Sequence, residues 1–176
     1  MIAGFPGSAS GMNAFVIDAF EFCRLNESRA GEIAVVDLPR LAEESVDKSG
    51  AVRWALQGGS DRRGHPQLTL SISGSVRLMC QRCLTPFAFD IESASVVVLA
   101  QDEAGADEIE AVLEDEPVDV VVGSRSFNIA ELIEDEALLA IPLSPKHEIC
   151  PDQVVPEAPK DAEKVSPFAV LKNLKK

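Results

Sequence analysis

"QLTLSISGSVRLMCQRCLTPFAFDIESASVVVLA", residues 67–100, carries the pattern from which the fold follows. In its first half Leu68, Leu70, Ile72, Val76, Leu78 and Cys80 share one parity, and Thr69, Ser71, Ser73, Ser75 and Arg77 share the other. A period of two over this length describes a strand with one buried face. Gly74 falls on the buried parity, where a bulge or bend is expected. Beyond the cysteines, Phe87, Phe89, Ile91, Val97 and Leu99 again share one parity. Two such strands around "CQRCLTP" predict an antiparallel hairpin with Cys80 and Cys83 at its tip.

Outward from the hairpin, "AVRWALQ" (51–57) alternates Val52, Trp54 and Leu56 with polar or small residues, which predicts a half-buried strand. "EIAVVDL" (32–38) reads as a short strand, "PRLAEES" (39–45) as a helical turn or short helix, and "VDVVVG" (118–123) as one more strand. "FVIDAFEFCRL" (15–25) mixes both periods and suits either state. "GGSDRRGHP" (58–66) predicts a loop by its glycines and proline. The best-signed helix covers 129–141. Asn128 can cap it, with Glu131 three residues on and Phe127 placed to staple Leu132. Ile129, Leu132, Ile133, Ala137 and Ala140 form its apolar stripe, Glu131, Glu134, Asp135 and Glu136 lie towards its favourable N-terminal half, and Pro142 ends it.

These elements predict one α+β domain over residues 13–150, built on a curved, barrel-like antiparallel sheet of about five or six strands. Residues 1–12 read as a flexible extension, with Met12 as an alternative start. Residues 101–117, "QDEAGADEIEAVLEDEP", have few large apolar side chains and read as a mobile acidic excursion. Residues 151–165 read as a proline-spaced linker. Residues 166–176, "SPFAVLKNLKK", read as a short helix capped by Ser166 with lysines at its end.

The chain has 176 residues, 46% of them hydrophobic, enough for one sizeable core. No apolar run approaches the roughly 18 residues of a membrane helix. The N-terminus has neither the basic region nor the apolar segment of a secretory signal. The expectation is a cytoplasmic protein with reduced thiols. Net charge is −13, unevenly spread. Residues 1–82 hold nine acidic and nine basic side chains, whereas residues 83–145 hold fifteen acidic ones and a single cation, Arg125. Such a block repels phosphate backbones. It reads either as a solvated face or as a docking surface for a basic partner.

Four cysteines are too few for a disulfide scaffold. Cys23, among apolar neighbours, reads as an inert core thiol. Cys80 and Cys83 can supply half of a tetrahedral zinc site, and His147 and Cys150 in "HEIC" the other half with the same two-residue gap. Leu84 stands where many zinc knuckles carry glycine. The alternative is four unliganded groups, with Cys80 in the core and His147 exposed. A thiol-redox role fits less well, because a reactive CxxC sits at a helix N-terminus and this one is flanked by strands. His65 reads as loop decoration. No phosphate-cradling glycine loop, nucleophile elbow or Ser-His-Asp material is present.

Three stretches in order, "LMCQRCLTPF", "FNIAELIEDEALLAIPLSPKHEIC" and "SPFAVLKNLKK", together with "FVIDAFEF", resemble the YceD family of large ribosomal RNA subunit accumulation proteins. The resemblance implies a role in synthesis, processing or stability of 23S rRNA and so in large-subunit assembly. It implies no catalytic activity and no small-molecule substrate. It also places family cysteines at Cys80, Cys83 and Cys150. With the charge, it suggests a non-enzymatic biogenesis factor acting through a basic ribosomal protein or assembly factor. A zinc-stabilised RNA-binding module and a CxxC redox enzyme are the alternatives.

Overall fold

A computed structural model describes residues 15–114 and 116–151. The expected N-terminal extension, the helix at 166–176 and the linker beyond Pro151 lie outside the described residues. The elements run β1 (Val16–Ile17), α1 (Ala19–Arg24), β2 (Ser28–Ala34), a 3-10 turn (Val35–Asp37), α2 (Pro39–Glu44), β3 (Ala51–Ser60), β4 (Pro66–Met79), β5 (Pro86–Ala100), α3 (Glu103–Leu113), β6 (Asp119–Val122), β7 (Phe127–Asn128) and α4 (Ile129–Ala140). No helix among the described residues is long and apolar enough to cross a membrane.

The fold is α+β, and its spine is the hairpin of β4 and β5. Met79 pairs with Pro86 beside the tip, and the ladder runs without offset to Gln67 and Val98. The alternation sets the core: Leu68, Leu70, Ile72, Val76 and Leu78 are all at most 3% exposed, and Ile91, Val97 and Leu99 join them. Gly74 makes no bulge, because the register with β5 continues through it unbroken while the ladder with β3 ends at it. Its reason is close approach. A Cβ there would stand 2.6 Å from the Ala51 carbonyl oxygen, where the neighbouring strand begins.

The sheet differs from the expected barrel. Its strand order is β2-β3-β4-β5-β6, an open row, with β1 and β7 forming a separate small ladder. Nor is it wholly antiparallel: β6 runs parallel to β5. The cause lies in the acidic segment. Residues 103–113 are not an unstructured excursion but the helix α3, capped by Asp102, which accepts from the Gly105 N–H at 2.8 Å. A parallel return needs a crossover of a dozen or more residues, and this segment supplies it. Ala106 and Leu113 are the buried anchors of α3. The end of β5 is accordingly buried on both parities, with Val98 and Ala100 at 1% and 2% exposure.

The ambiguous stretch at 15–25 resolves into a two-residue strand and then α1, capped by Asp18. Gly58, Gly59 and Ser60, read as loop, extend β3, and the turn shrinks to 61–65. The late helix spans Ile129–Ala140. Asn128 accepts from the Ala130 N–H, and its side-chain amide donates to Glu131. Ile129, Ile133 and Ala137 are fully buried against the sheet. Cys23 is a core thiol, its Sγ donating to the Gln67 carbonyl at 3.2 Å. Burial raises its pKa.

Candidate metal centre

The tip of the β4–β5 hairpin is a tight turn. The Cys80 N–H donates to the Thr85 carbonyl, and the Leu84 N–H returns to the Cys80 carbonyl. Closing so small a turn requires one residue in the left-handed region, and Leu84 takes it, with φ 58°. A glycine would adopt that conformation without strain. The chain therefore makes this turn without the glycine that many zinc knuckles carry, and the leucine side chain is left 73% exposed.

The loop after α4 meets this tip. The Gln81 N–H donates to the Pro145 carbonyl at 2.9 Å. The Phe87 ring lies 4.8 Å from that of His147 and helps to place it. The result gathers Cys80, Cys83, His147 and Cys150, the four residues singled out in sequence, with their ligand atoms all within 4.8 Å of one another. Cys80 and Cys150 Sγ are 3.8 Å apart, and Cys83 Sγ lies 3.4 Å from His147 Nδ1. Tetrahedral zinc with bonds of about 2.3 Å to sulfur and about 2.0 Å to nitrogen sets sulfur–sulfur edges near 3.8 Å and sulfur–nitrogen edges near 3.5 Å. The arrangement can hold a metal ion.

The electrostatics favour the same chemistry. Burial acts to raise the Cys80 thiol pKa, but backbone N–H groups of Cys83, His147 and Arg82, with the His147 ring, bring it down to about 5. Cys150 moves the other way. Burial raises its pKa, and its cysteine neighbours raise it further, against Arg82. Three sulfurs at this spacing cannot all carry charge unless a cation lies between them. A low thiol pKa alone also describes redox cysteines, yet a thiol that attacks a disulfide must be reachable. Cys80 is 0% exposed and sits at a strand end.

Sequence reasoning singled out the four clustered residues but not the groups beside them. Thr85 Oγ1 lies 3.0 Å from Cys83 Sγ, and Phe87 backs the imidazole. Both stand within the quoted motif, and their parity gave the only signal. His65 belongs elsewhere, in the β3–β4 turn at the other end of the hairpin. There its Nδ1 meets Asp61 at 2.7 Å.

The profile of the family described as "Large ribosomal RNA subunit accumulation protein YceD" matches residues 68–175, more than half of the chain. The chain belongs to the YceD family. A large ribosomal RNA subunit accumulation protein YceD of Haemophilus influenzae is 33% identical over 159 residues, covering 82% of this chain and 86% of that protein. No solved structure matches. The YceD match begins at β4, so it takes in the hairpin, the crossover helix, α4 and all four candidate ligands.

Proposed function

We propose that this protein is a non-enzymatic factor that supports accumulation of 23S rRNA, acting in large-subunit assembly through a basic protein partner. Its family membership carries the reading. A zinc ion on Cys80, Cys83, His147 and Cys150 would be structural, tying the hairpin tip to the exit of α4. Four protein donors leave no open coordination position for chemistry.

The partner surface is the crossover helix. Asp107, Glu108, Glu110 and Glu114 of this segment are exposed. Among the described residues, one cation neighbours it: Arg63, at 2.6 Å from Glu116. Because α3 is ordered and anchored, its charges keep a fixed spacing, which suits a basic protein surface.

Direct base recognition has little support. The uncovered sheet face carries Ala30, Ala55, Ser71 and Ala94 in one row across four strands. Single-stranded RNA is held by stacking on aromatic side chains, and that row has none.

The test is twofold. Loss of the protein from its cell should lower 23S rRNA relative to 16S, and the wild-type chain should restore it. Purified protein should capture a ribosomal protein or assembly factor in a salt-sensitive manner. Asp107→Asn, Glu108→Gln and Glu110→Gln together should weaken that capture without altering the fold. Tight, salt-sensitive binding to rRNA alone would overturn the partner assignment.

A further inference from the structure

Arg82 stands between the two cysteines of the hairpin tip and turns towards the opposite loop. Its Nε donates to Cys150 Sγ at 3.0 Å. One of its terminal nitrogens donates to the His147 carbonyl at 3.0 Å and to the Glu148 carbonyl at 3.4 Å. A single planar guanidinium therefore makes contacts with three residues, His147, Glu148 and Cys150, of the loop that carries half of the metal donors. Five other arginines, at positions 24, 29, 40, 63 and 77, pair with carboxylates. Arg82 spends its charge on a cysteine sulfur.

The donor set explains the placement. Three thiolates and an imidazole around a divalent ion leave one net negative charge. Cys80 and Cys150 are 0% and 3% exposed, so that charge is largely buried. Burying an uncompensated charge is costly. A guanidinium stays protonated at any accessible pH, and its rigid fork can meet a sulfur and a carbonyl together. A lysine could supply the charge but not the fork.

We propose that Arg82 is a positioning residue of the metal centre: it neutralises a Cys3His zinc site, and it locks the His147–Cys150 loop against the hairpin through Cys150 and two carbonyls. The inference rests on the zinc reading above. The contact also bears on metal chemistry, since a hydrogen bond to a metal-bound thiolate draws electron density from it. Such supporting contacts commonly change metal affinity 10–100-fold.

The test uses the full chain, stripped of metal under reducing, oxygen-free conditions and titrated with Co2+, then with Zn2+ in competition with a chromogenic chelator. The wild type should take up one ion with a tetrahedral cobalt spectrum and thiolate-to-cobalt charge-transfer bands. Arg82→Ala should bind roughly 10–100-fold more weakly, with its charge-transfer bands shifted because the Cys150 thiolate has lost its donor. Arg82→Lys should recover part of the affinity but not the wild-type spectrum. If Arg82→Ala fails to fold, the lysine variant still carries the spectral comparison. Unchanged affinity and spectrum in the variants would overturn the assignment to Arg82 while leaving the zinc reading intact. Weaker binding with an unshifted spectrum would reduce Arg82 to loop packing and overturn its contact with the thiolate. Failure of the wild type to bind either ion would overturn the zinc reading itself.

Discussion

Leu84 shows how much one backbone angle decides. Its φ of 58° lies in a region that costs a side-chain-bearing residue about 1–2 kcal/mol. The exposed side chain recovers little of this by burial. Leu84→Gly should therefore stabilise the protein by about 1 kcal/mol, read as a raised denaturation midpoint, since the entropy glycine adds to the unfolded chain offsets only part of the relief. A loss of stability would mean that the leucine packs on something in solution. The sequence showed Leu84 as a departure from the knuckle pattern. It could not show that the conformation survives the departure, because hydrogen bonds from Cys80 and Leu84 across the turn impose it. The clustering of Cys80, Cys83, His147 and Cys150, by contrast, was anticipated, since equal gaps in two short motifs suggest a tetrahedral set.

At the scale of elements, α2 depends on a neighbour. Its own cap position, Leu38, offers no side-chain hydrogen bond. The free N–H groups of Arg40 and Leu41 donate instead to Glu134 Oε1 of α4, at 2.7 and 3.1 Å, and the Arg40 side chain donates to Glu134 Oε2 at 2.9 Å. Glu134 is 3% exposed. Sequence reasoning placed it with the acids that favour the start of α4, but its work is to cap a different helix, 93 residues from Leu41 along the chain. Glu134→Ala would strand two backbone donors at a helix start. It should cost about 2–4 kcal/mol in urea unfolding, since each buried group left unpaired costs about 1–3 kcal/mol. A change below 0.5 kcal/mol, the level of an ordinary surface substitution, would show that water satisfies these groups. The crossover helix was missed for a related reason. Ala106, Ile109 and Leu113 do carry a helical spacing, but its weak stripe is outnumbered by charge, and only packing on β5 and β6 gives those few apolar residues a place.

Over the whole molecule, β5 separates two ends. Its 15 residues span about 50 Å. The candidate metal centre lies at its start and the acidic crossover at its finish, so one strand joins two surfaces of different chemistry. The β3–β4 turn braces the acidic end through Arg63 and Glu116. Within that turn, partial burial acts to raise the Asp61 pKa, but the His65 ring and the N–H groups of His65 and Arg63 more than reverse it, so the carboxyl titrates below its ordinary range. A depressed folded pKa contributes stability above the unfolded value, which is lost as pH falls through the folded one. Asp61→Asn should therefore be less stable than wild type near pH 7, and the gap should narrow below about pH 4. Urea midpoints of the two proteins between pH 7 and pH 2.5 measure this, and a gap constant across that range would refute the assignment.

By itself the sequence determined the hairpin, its buried face and the capped helix α4, and it singled out four residues that could act as metal donors. Each is written in a local period or a short spacing, which one segment can express alone. Tertiary structure decided the open sheet, the parallel β6, the capping of α2 by Glu134 and the turn of Arg82 towards Cys150. These pair residues far apart in the chain, and nothing in either segment encodes the other's position. The "CQRC" of the tip thus offered two candidate ligands in sequence. Only when the loop after α4 closed on it did its arginine acquire a partner, because a guanidinium has no preferred target until the fold brings a buried sulfur within reach.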